Sequence, residues 1–277
     1  NTHEFFPYSS ILIIFFCITM TIFHSIGLNN LIYEKDVIKK PNFILSFVFL
    51  LLNTPFVTNH KMIFFSFGLL FFLYYLLSLY KKKQPYSIVF NAGMIISLLS
   101  FYIPNVLILF VLIILSTAIF RNLDWRVIFL TLLSLLVPYI FLWSFQYITG
   151  NYLYFPDINL RFNPIYFDFL SMNIHQQIWT TIIFIVIIIS FYELFRWMYK
   201  KSIRSRESFI IILFYFFIST LLFLFTQNTC SVIILFIPLS IIITNFFVYY
   251  KKNLVAELIF FLFLFSSIFY RLSMINT

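Results

Sequence analysis

The sequence predicts an all-α, polytopic membrane protein of about ten transmembrane helices, and three observations carry that expectation. Of its 277 residues 62% are hydrophobic and only 10% are charged. Mean hydropathy is +1.01, and apolar runs recur along the whole chain. Fifteen of the 18 basic residues fall in every second connection between those runs. A soluble domain of this length needs far more charge to cover its surface. No stretch is left for a separate soluble domain, so residues 1–277 read as one integral membrane domain.

A helix needs about 20 apolar residues to cross the hydrocarbon core. The apolar runs place spans near 8–27, 42–58, 62–80, 86–103 and 105–120 in the first half. The second half adds 127–148, 177–196, 208–226, 230–249 and 254–270. The second run is short and ends at Asn53-Thr54-Pro55, and the fourth carries Asn91 and Gly93 and stops at Pro104. These two are where a re-entrant or broken helix would be expected, shielded by protein.

Charge then orients the chain. Lys35, Lys39 and Lys40 follow the first run, and Lys81, Lys82 and Lys83 follow the third. Arg121 and Arg126 flank the turn after the fifth, and Arg196, Lys200, Lys201, Arg204 and Arg206 follow the seventh. Lys251 and Lys252 follow the ninth. Lys61, Arg161 and Arg271 are on the opposite side. The positive-inside rule therefore puts connections 28–41, 81–85, 121–126, 197–207 and 250–253 in the cytoplasm of a bacterial inner membrane. A helix counted wrongly would have scrambled this alternation. The same parity leaves Asn1 outside with no basic anchor before it. Because the chain begins with Asn rather than Met, an upstream eleventh helix is expected in the full-length protein; the alternative is a native chain whose N-terminus lies outside.

Composition also restricts the partners. The net charge of +9 lies in short loops and not on one face of a folded domain, so nucleic acid is not an expected partner. Membrane lipids are, and the run from Arg196 to Arg206 suits anionic headgroups as well as orientation. Cys17 and Cys230 lie in apolar settings and form neither a disulfide framework nor a metal motif. No HExxH, P-loop, nucleophile elbow, CxxC pattern, fixed-period repeat or low-complexity linker occurs.

Ionisable groups inside spans are the usual functional flags of a membrane protein. Glu193 and Glu257 each sit one turn from an inner helix end, near Arg196 and Lys252, and read as interfacial anchors. His24 reads as a hydrogen-bonded residue near the inner end of the first span. Asn53, Asn91 and Asn245 read as interhelical hydrogen-bonding groups. Asp124-Trp125-Arg126 reads as a helix start with an interfacial tryptophan. The scarcity of midplane charge disfavours an ion-coupled transporter.

The outer connections hold the polar residues that topology does not require: His3, Glu4, His60, Lys61, and the long loop 149–176 with Asp157, Arg161, Asp168 and His175. Part of that loop, from Pro164 to Gln176, reads as an interfacial helix. Glu4, Asp157 and Asp168 are the candidate catalytic acids or bases, and Lys61 and Arg161 the candidate phosphate or headgroup ligands. Such groups meeting at a membrane surface would bind a divalent metal and a lipid phosphate and deprotonate an acceptor hydroxyl. Spread over three loops without motif spacing, they read first as ordinary solvated loop residues.

Residues from Lys39 to Phe155 carry a resemblance. A helix ends in Asn53-Thr54-Pro55, a short turn passes Asn59-His60-Lys61, and the next helix closes on Leu79-Tyr80-Lys81-Lys82-Lys83. Then come Asn91-Ala92-Gly93-Met94, a Pro-Asn turn, Asp124-Trp125-Arg126, and a helix with Pro138-Tyr139 closing on Tyr147-Ile148-Thr149-Gly150. This order resembles the transmembrane core of the glycosyltransferase-C superfamily. The whole chain resembles an uncharacterised Bacteroidota family of polytopic membrane proteins, its ending Ile237-Pro238-Leu239 and Leu254-Val255-Ala256-Glu257-Leu258 included. The superfamily places an essential acid in its first outer loop, for which Glu4 is the counterpart here, and its long acidic loop is absent. The resemblance implies a shared scaffold and leaves three expectations. One is a non-catalytic or degenerate subunit of a cell-envelope complex, packed against other integral membrane subunits. The second is a lipid-phosphate-sugar-dependent transferase on the outer face, using a divalent metal; a transporter is the third and least favoured.

Overall fold

The computed structural model describes residues 7–53, 60–150, 173–226, 229–251 and 253–275, with side chains for 15–53, 62–150, 173–225, 232–251 and 254–273. Among them the chain is all-α, and its helices fall where the apolar runs are. They are α1 Pro7–Glu34, α2 Ile44–Asn53, α3 His60–Ser78, α4 Tyr86–Ser100 and α5 Phe110–Ile119. These are followed by α6 Trp125–Ile148, α7 Ile174–Met198, α8 Ile203–Thr226, α9 Thr229–Tyr249 and α10 Asn253–Ile275. A 3-10 segment, Pro104–Leu109, leads directly into α5.

Among the described residues six helices are long and apolar enough to cross a membrane: those of α1, α6, α7, α8, α9 and α10. Ile44–Asn53, Met62–Ser78, Tyr86–Ser100 and Pro104–Ile119 are apolar but shorter. At about 1.5 Å rise per residue, the ten residues of α2 reach only about half the hydrocarbon thickness. α2 and α4, the two runs singled out as short, are thus among four shorter helices within the described residues.

Large apolar side chains on the long helices point outward, among them Phe141 at 72%, Phe184 at 64% and Phe265 at 66% exposure. In water this would be an aggregation surface; in lipid it is the ordinary exterior of a span. α9 differs. Its window Val232–Tyr249 is 72% buried, against 22–39% for the other five, as expected of a helix apolar on every face.

Helix ends are built without glycine at three places. Asp36, Lys81 and Arg121 adopt φ of 56°, 57° and 59°, the left-handed region. After α1, Val37 N–H donates to the Ile32 carbonyl and Asp36 N–H to Tyr33; after α5, Asn122 N–H donates to Thr117 and Arg121 N–H to Ala118. Both are Schellman closures, normally completed by glycine. α6 starts at Trp125 with an extended Asp124 before it, and Val127 N–H donates to the Asp124 carbonyl. The helix start is the one expected at Asp124-Trp125-Arg126, and Arg126 lies over the Trp125 ring.

The contacts divide the chain into two compact units. Unit 1 comprises 1–64, 166–202 and 236–277. In it α1 packs on α2, and α10 on α7 and α2. Ser46 Oγ donates to the Ser25 carbonyl at 3.0 Å, and the His24 ring lies 4.6 Å from Phe49. Trp179 Nε1 donates to Ser267 Oγ at 3.2 Å and stacks on Tyr270. His24 is buried in a helix that continues to Glu34.

Unit 2 comprises 65–165 and 203–235, and α4 against α6 is its tightest pairing. Gly93 permits it: a β-carbon there would overlap Ser134 Oγ and stand 2.9 Å from Ser134 Cβ. Beside this contact Ser97 Oγ donates to the Leu135 carbonyl at 2.7 Å, and Ser100 is hydrogen-bonded to the Tyr139 hydroxyl. Small residues with interhelical hydroxyl bonds are the means by which helices associate where water supplies no hydrophobic drive.

Candidate functional site: a cation and aromatic cluster in unit 1

The residues singled out for outer-face chemistry, Glu4, Asp157, Asp168, Lys61 and Arg161, have side chains outside the described residues, as do His3 and His60. The interfacial segment expected from Pro164 to Gln176 lies mostly outside them too; α7 opens at Ile174. His175 is described, with its ring 4.4 Å from Phe269. Among the described residues no group of three His, Cys, Asp or Glu is placed to hold a metal ion.

Charges that sequence reading assigned to orientation instead converge. The connection after α1, the end of α7 and the end of α9 meet around Tyr249. Lys39 N–H donates to the Tyr249 hydroxyl at 3.2 Å. Lys40 Nζ donates to the Val248 carbonyl at 3.2 Å and lies 5.1 Å from the Tyr249 ring centre. Lys201 Nζ lies 3.7 Å from the same centre and 4.6 Å from that of Trp197. The Trp197 and Tyr249 rings are themselves 4.9 Å apart.

Each contact has a local cause. Carbonyls in the last turn of a helix lack intrahelical donors and carry the negative end of the macrodipole, which suits the Lys40 ammonium at Val248. The electron-rich faces of Tyr249 and Trp197 attract the Lys201 ammonium. Trp197 is buried, Tyr249 and Lys201 half-buried, and Lys39 and Lys40 exposed, so the cluster opens outward from an enclosed floor. Burial holds the Lys201 ammonium below the ordinary lysine range, and the like charges of Lys40 and Lys39 lower it further. Among the described residues none of the three lysines makes an ion pair with a carboxylate.

The other intramembrane flags resolve individually. Both oxygens of the buried Glu193 carboxylate lie 3.0 Å from Arg196 Nη2 one turn on, the anchoring pair expected. Glu257 is exposed. Asn53 Nδ2 donates to the Phe49 carbonyl of its own helix at 2.8 Å, and Asn91 is exposed. Asn245 is fully buried, and neither amide atom has a hydrogen-bond partner among the described residues. None of the three makes the interhelical bond expected of it. Cys17 is buried in α1, as ordinary packing requires.

A smaller counterpart occurs in unit 2. Lys81 Nζ lies 5.5 Å and Arg204 Cζ 5.2 Å from the Tyr80 ring centre, and Asn122 Nδ2 donates to the Leu79 carbonyl at 2.7 Å. In each unit, then, an aromatic ring at a helix end gathers cations from two connections of the same charge-parity class.

The chain belongs to the Family of unknown function (DUF6427), whose model matches residues 1–277. No curated protein and no solved structure is detectably similar to it.

Proposed function

We propose that this member of the family is a non-catalytic subunit of a cell-envelope complex in a bacterial inner membrane, on a scaffold like that of the glycosyltransferase-C superfamily. The observation that supports it is how the interior polar groups are used. Buried hydroxyls of Thr21, Ser25, Ser116, Thr117, Thr131, Ser134, Ser240 and Thr244 donate to carbonyls three or four residues back in their own helices. Hydroxyls bonded in this way are satisfied without water and leave a small, close-packing surface. Among the described residues the one buried carboxylate, Glu193, is held by Arg196. This polar inventory serves helix packing. The apolar outer faces of α6, α7 and α10 would meet lipid and neighbouring membrane subunits.

The transferase alternative assigns base or metal-ligand roles to Glu4, Asp157 and Asp168 and phosphate contacts to Lys61 and Arg161. One experiment separates the two. A strain carrying Glu4→Ala, Asp157→Ala, Arg161→Ala and Asp168→Ala together is compared with a deletion strain for envelope integrity. The protein is also purified in mild detergent and its partners are identified by mass spectrometry. The subunit role predicts wild-type envelope behaviour for the quadruple variant and membrane proteins recovered in fixed stoichiometry. A quadruple variant that behaves like the deletion, although present at the wild-type level, would contradict it.

A further inference from the structure

The cluster around Tyr249 has the composition of a receptor for a small, highly charged anion. Lys40 and Lys201 bring two ammoniums to one ring from two connections that are far apart in sequence, and Lys39, next to Lys40, bonds the ring hydroxyl through its backbone N–H and adds a third charge nearby. The Lys40 and Lys201 ammoniums are no farther apart than the sum of their 5.1 and 3.7 Å distances to the ring centre. An ammonium carries three donors. Lys40 directs one to the Val248 carbonyl, leaving two. The Tyr249 hydroxyl accepts from Lys39 N–H, so its own proton is available to donate outward.

We infer that Lys40, Lys201 and the Tyr249 hydroxyl, flanked by the charge of Lys39, form a binding site for a dianionic phosphate monoester group at the basic end of unit 1. A tetrahedral oxyanion accepts donors from several directions, which suits flexible point charges better than the planar fork of arginine. A monoester also answers three cations better than a phosphodiester, which carries one charge. The aromatic floor of Tyr249 and Trp197 is rigid and holds Lys201 in place before the anion arrives. The lowered pKa of Lys201 agrees with this: burial is its first cause, the like charges of Lys40 and Lys39 add to it, and a bound dianion offsets that second part. The group has two sources, a lipid headgroup such as phosphatidic acid or a free phosphate. A basic cluster where helices end at a membrane surface is suited to the first. The site stands apart from the subunit role, and either can fail without the other.

The test uses the full chain, purified with affinity-bound lipid removed. One arm measures binding of inorganic phosphate by thermal shift, with chloride at equal ionic strength as reference. The other reconstitutes the chain into nanodiscs of phosphatidylcholine with phosphatidic acid or phosphatidylglycerol and counts retained lipid by native mass spectrometry. Loss of one charge-assisted contact corresponds to about a tenfold weakening. That is the expected effect of Lys40→Gln and of Lys201→Gln, with Lys201→Arg retaining most binding and Tyr249→Phe intermediate. Lys82→Gln/Lys83→Gln removes two exposed charges elsewhere and should change binding less than twofold, which separates a site from general attraction. Preference for phosphatidic acid over phosphatidylglycerol assigns the lipid source, and response in the phosphate arm alone assigns the soluble one. Either supports the site. If neither arm responds, or if Lys82→Gln/Lys83→Gln weakens binding as much as Lys40→Gln, the inference is overturned.

Discussion

The Lys201 ammonium rests 3.7 Å from the centre of the Tyr249 ring, although one follows α7 and the other closes α9. With Lys39 and Lys40 on the same tyrosine, this contact ties three connections of unit 1 together at one end. Charge parity alone had put those three connections on one side.

Tyr249 is therefore expected to matter more than a residue at a helix end usually does. A cation held over a partly buried ring contributes about 0.5–2 kcal/mol, and two ammoniums share this ring. Tyr249→Leu should lower stability by about 1–2 kcal/mol. Tyr249→Phe keeps the ring and should cost less, about 1 kcal/mol, through the lost acceptor for Lys39 N–H. Thermal unfolding in detergent distinguishes the two; equal losses would mean the ring face is not the important element.

Lys201 should give stability a pH dependence. Its folded pKa is below the ordinary value of 10.5. Between those two values the unfolded chain binds more protons than the folded one, so stability rises with pH there. The penalty is fully present below the folded pKa. Across that window the wild-type unfolding midpoint should gain on that of Lys201→Gln, whose titration lacks the term. Parallel pH profiles for the two proteins would contradict it.

Gly93 and Gly68 provide a contrast in unit 2. A β-carbon at Gly93 meets Ser134 at the α4–α6 crossing, whereas at Gly68 it meets the branched tip of Leu99 at 2.7 Å. A leucine tip turns aside; a serine next to its own backbone does not. Gly93→Ala should therefore destabilise by about 1–3 kcal/mol, the range for overpacking. Gly68→Ala should cost clearly less. Ser134→Ala should recover part of the Gly93→Ala loss, since it removes the nearer of the two atoms in conflict. Equal effects at the two glycines in a denaturation assay would refute the crossing geometry.

Asp36 and Arg121 pay for left-handed backbone without glycine. For a residue with a β-carbon the conformation costs about 1–2 kcal/mol, partly offset in glycine by the entropy of a freer unfolded chain. Asp36→Gly and Arg121→Gly should each stabilise by about 0.5–1 kcal/mol. Destabilisation by both, measured by unfolding, would show that the side chains themselves hold those turns.

The sequence foretold most of this fold because helix spacing in a membrane is written locally. Twenty apolar residues, Asp124 before Trp125, and Pro104 after the fourth run are all short-range signals. Boundaries were less legible. α1 continues past the expected 27 to Glu34, because the polar Asn29 is buried and the helix stops only at the Asp36 closure. α8 begins at Ile203 and not at 208, since Arg204, Arg206 and Glu207 tolerate a solvated turn. The cluster at Tyr249 was illegible for another reason: Lys39 and Tyr249 are 210 positions apart. A lysine that orients a helix and one that binds a ligand look alike until tertiary contacts bring two connections onto one ring. Trp197 and Tyr249, both closing basic-ended helices, were the available hint.

The central proposal, read from charge parity, is that the basic connections lie on one side of a membrane and loop 149–176 on the other. Single cysteines at Lys82 and Asn163, in a background with Cys17→Ser and Cys230→Ser, test it with an impermeant thiol reagent on intact cells. The account predicts that Asn163→Cys is modified directly and Lys82→Cys only after the membrane is opened. Modification of both in intact cells, or protection of both, would contradict it.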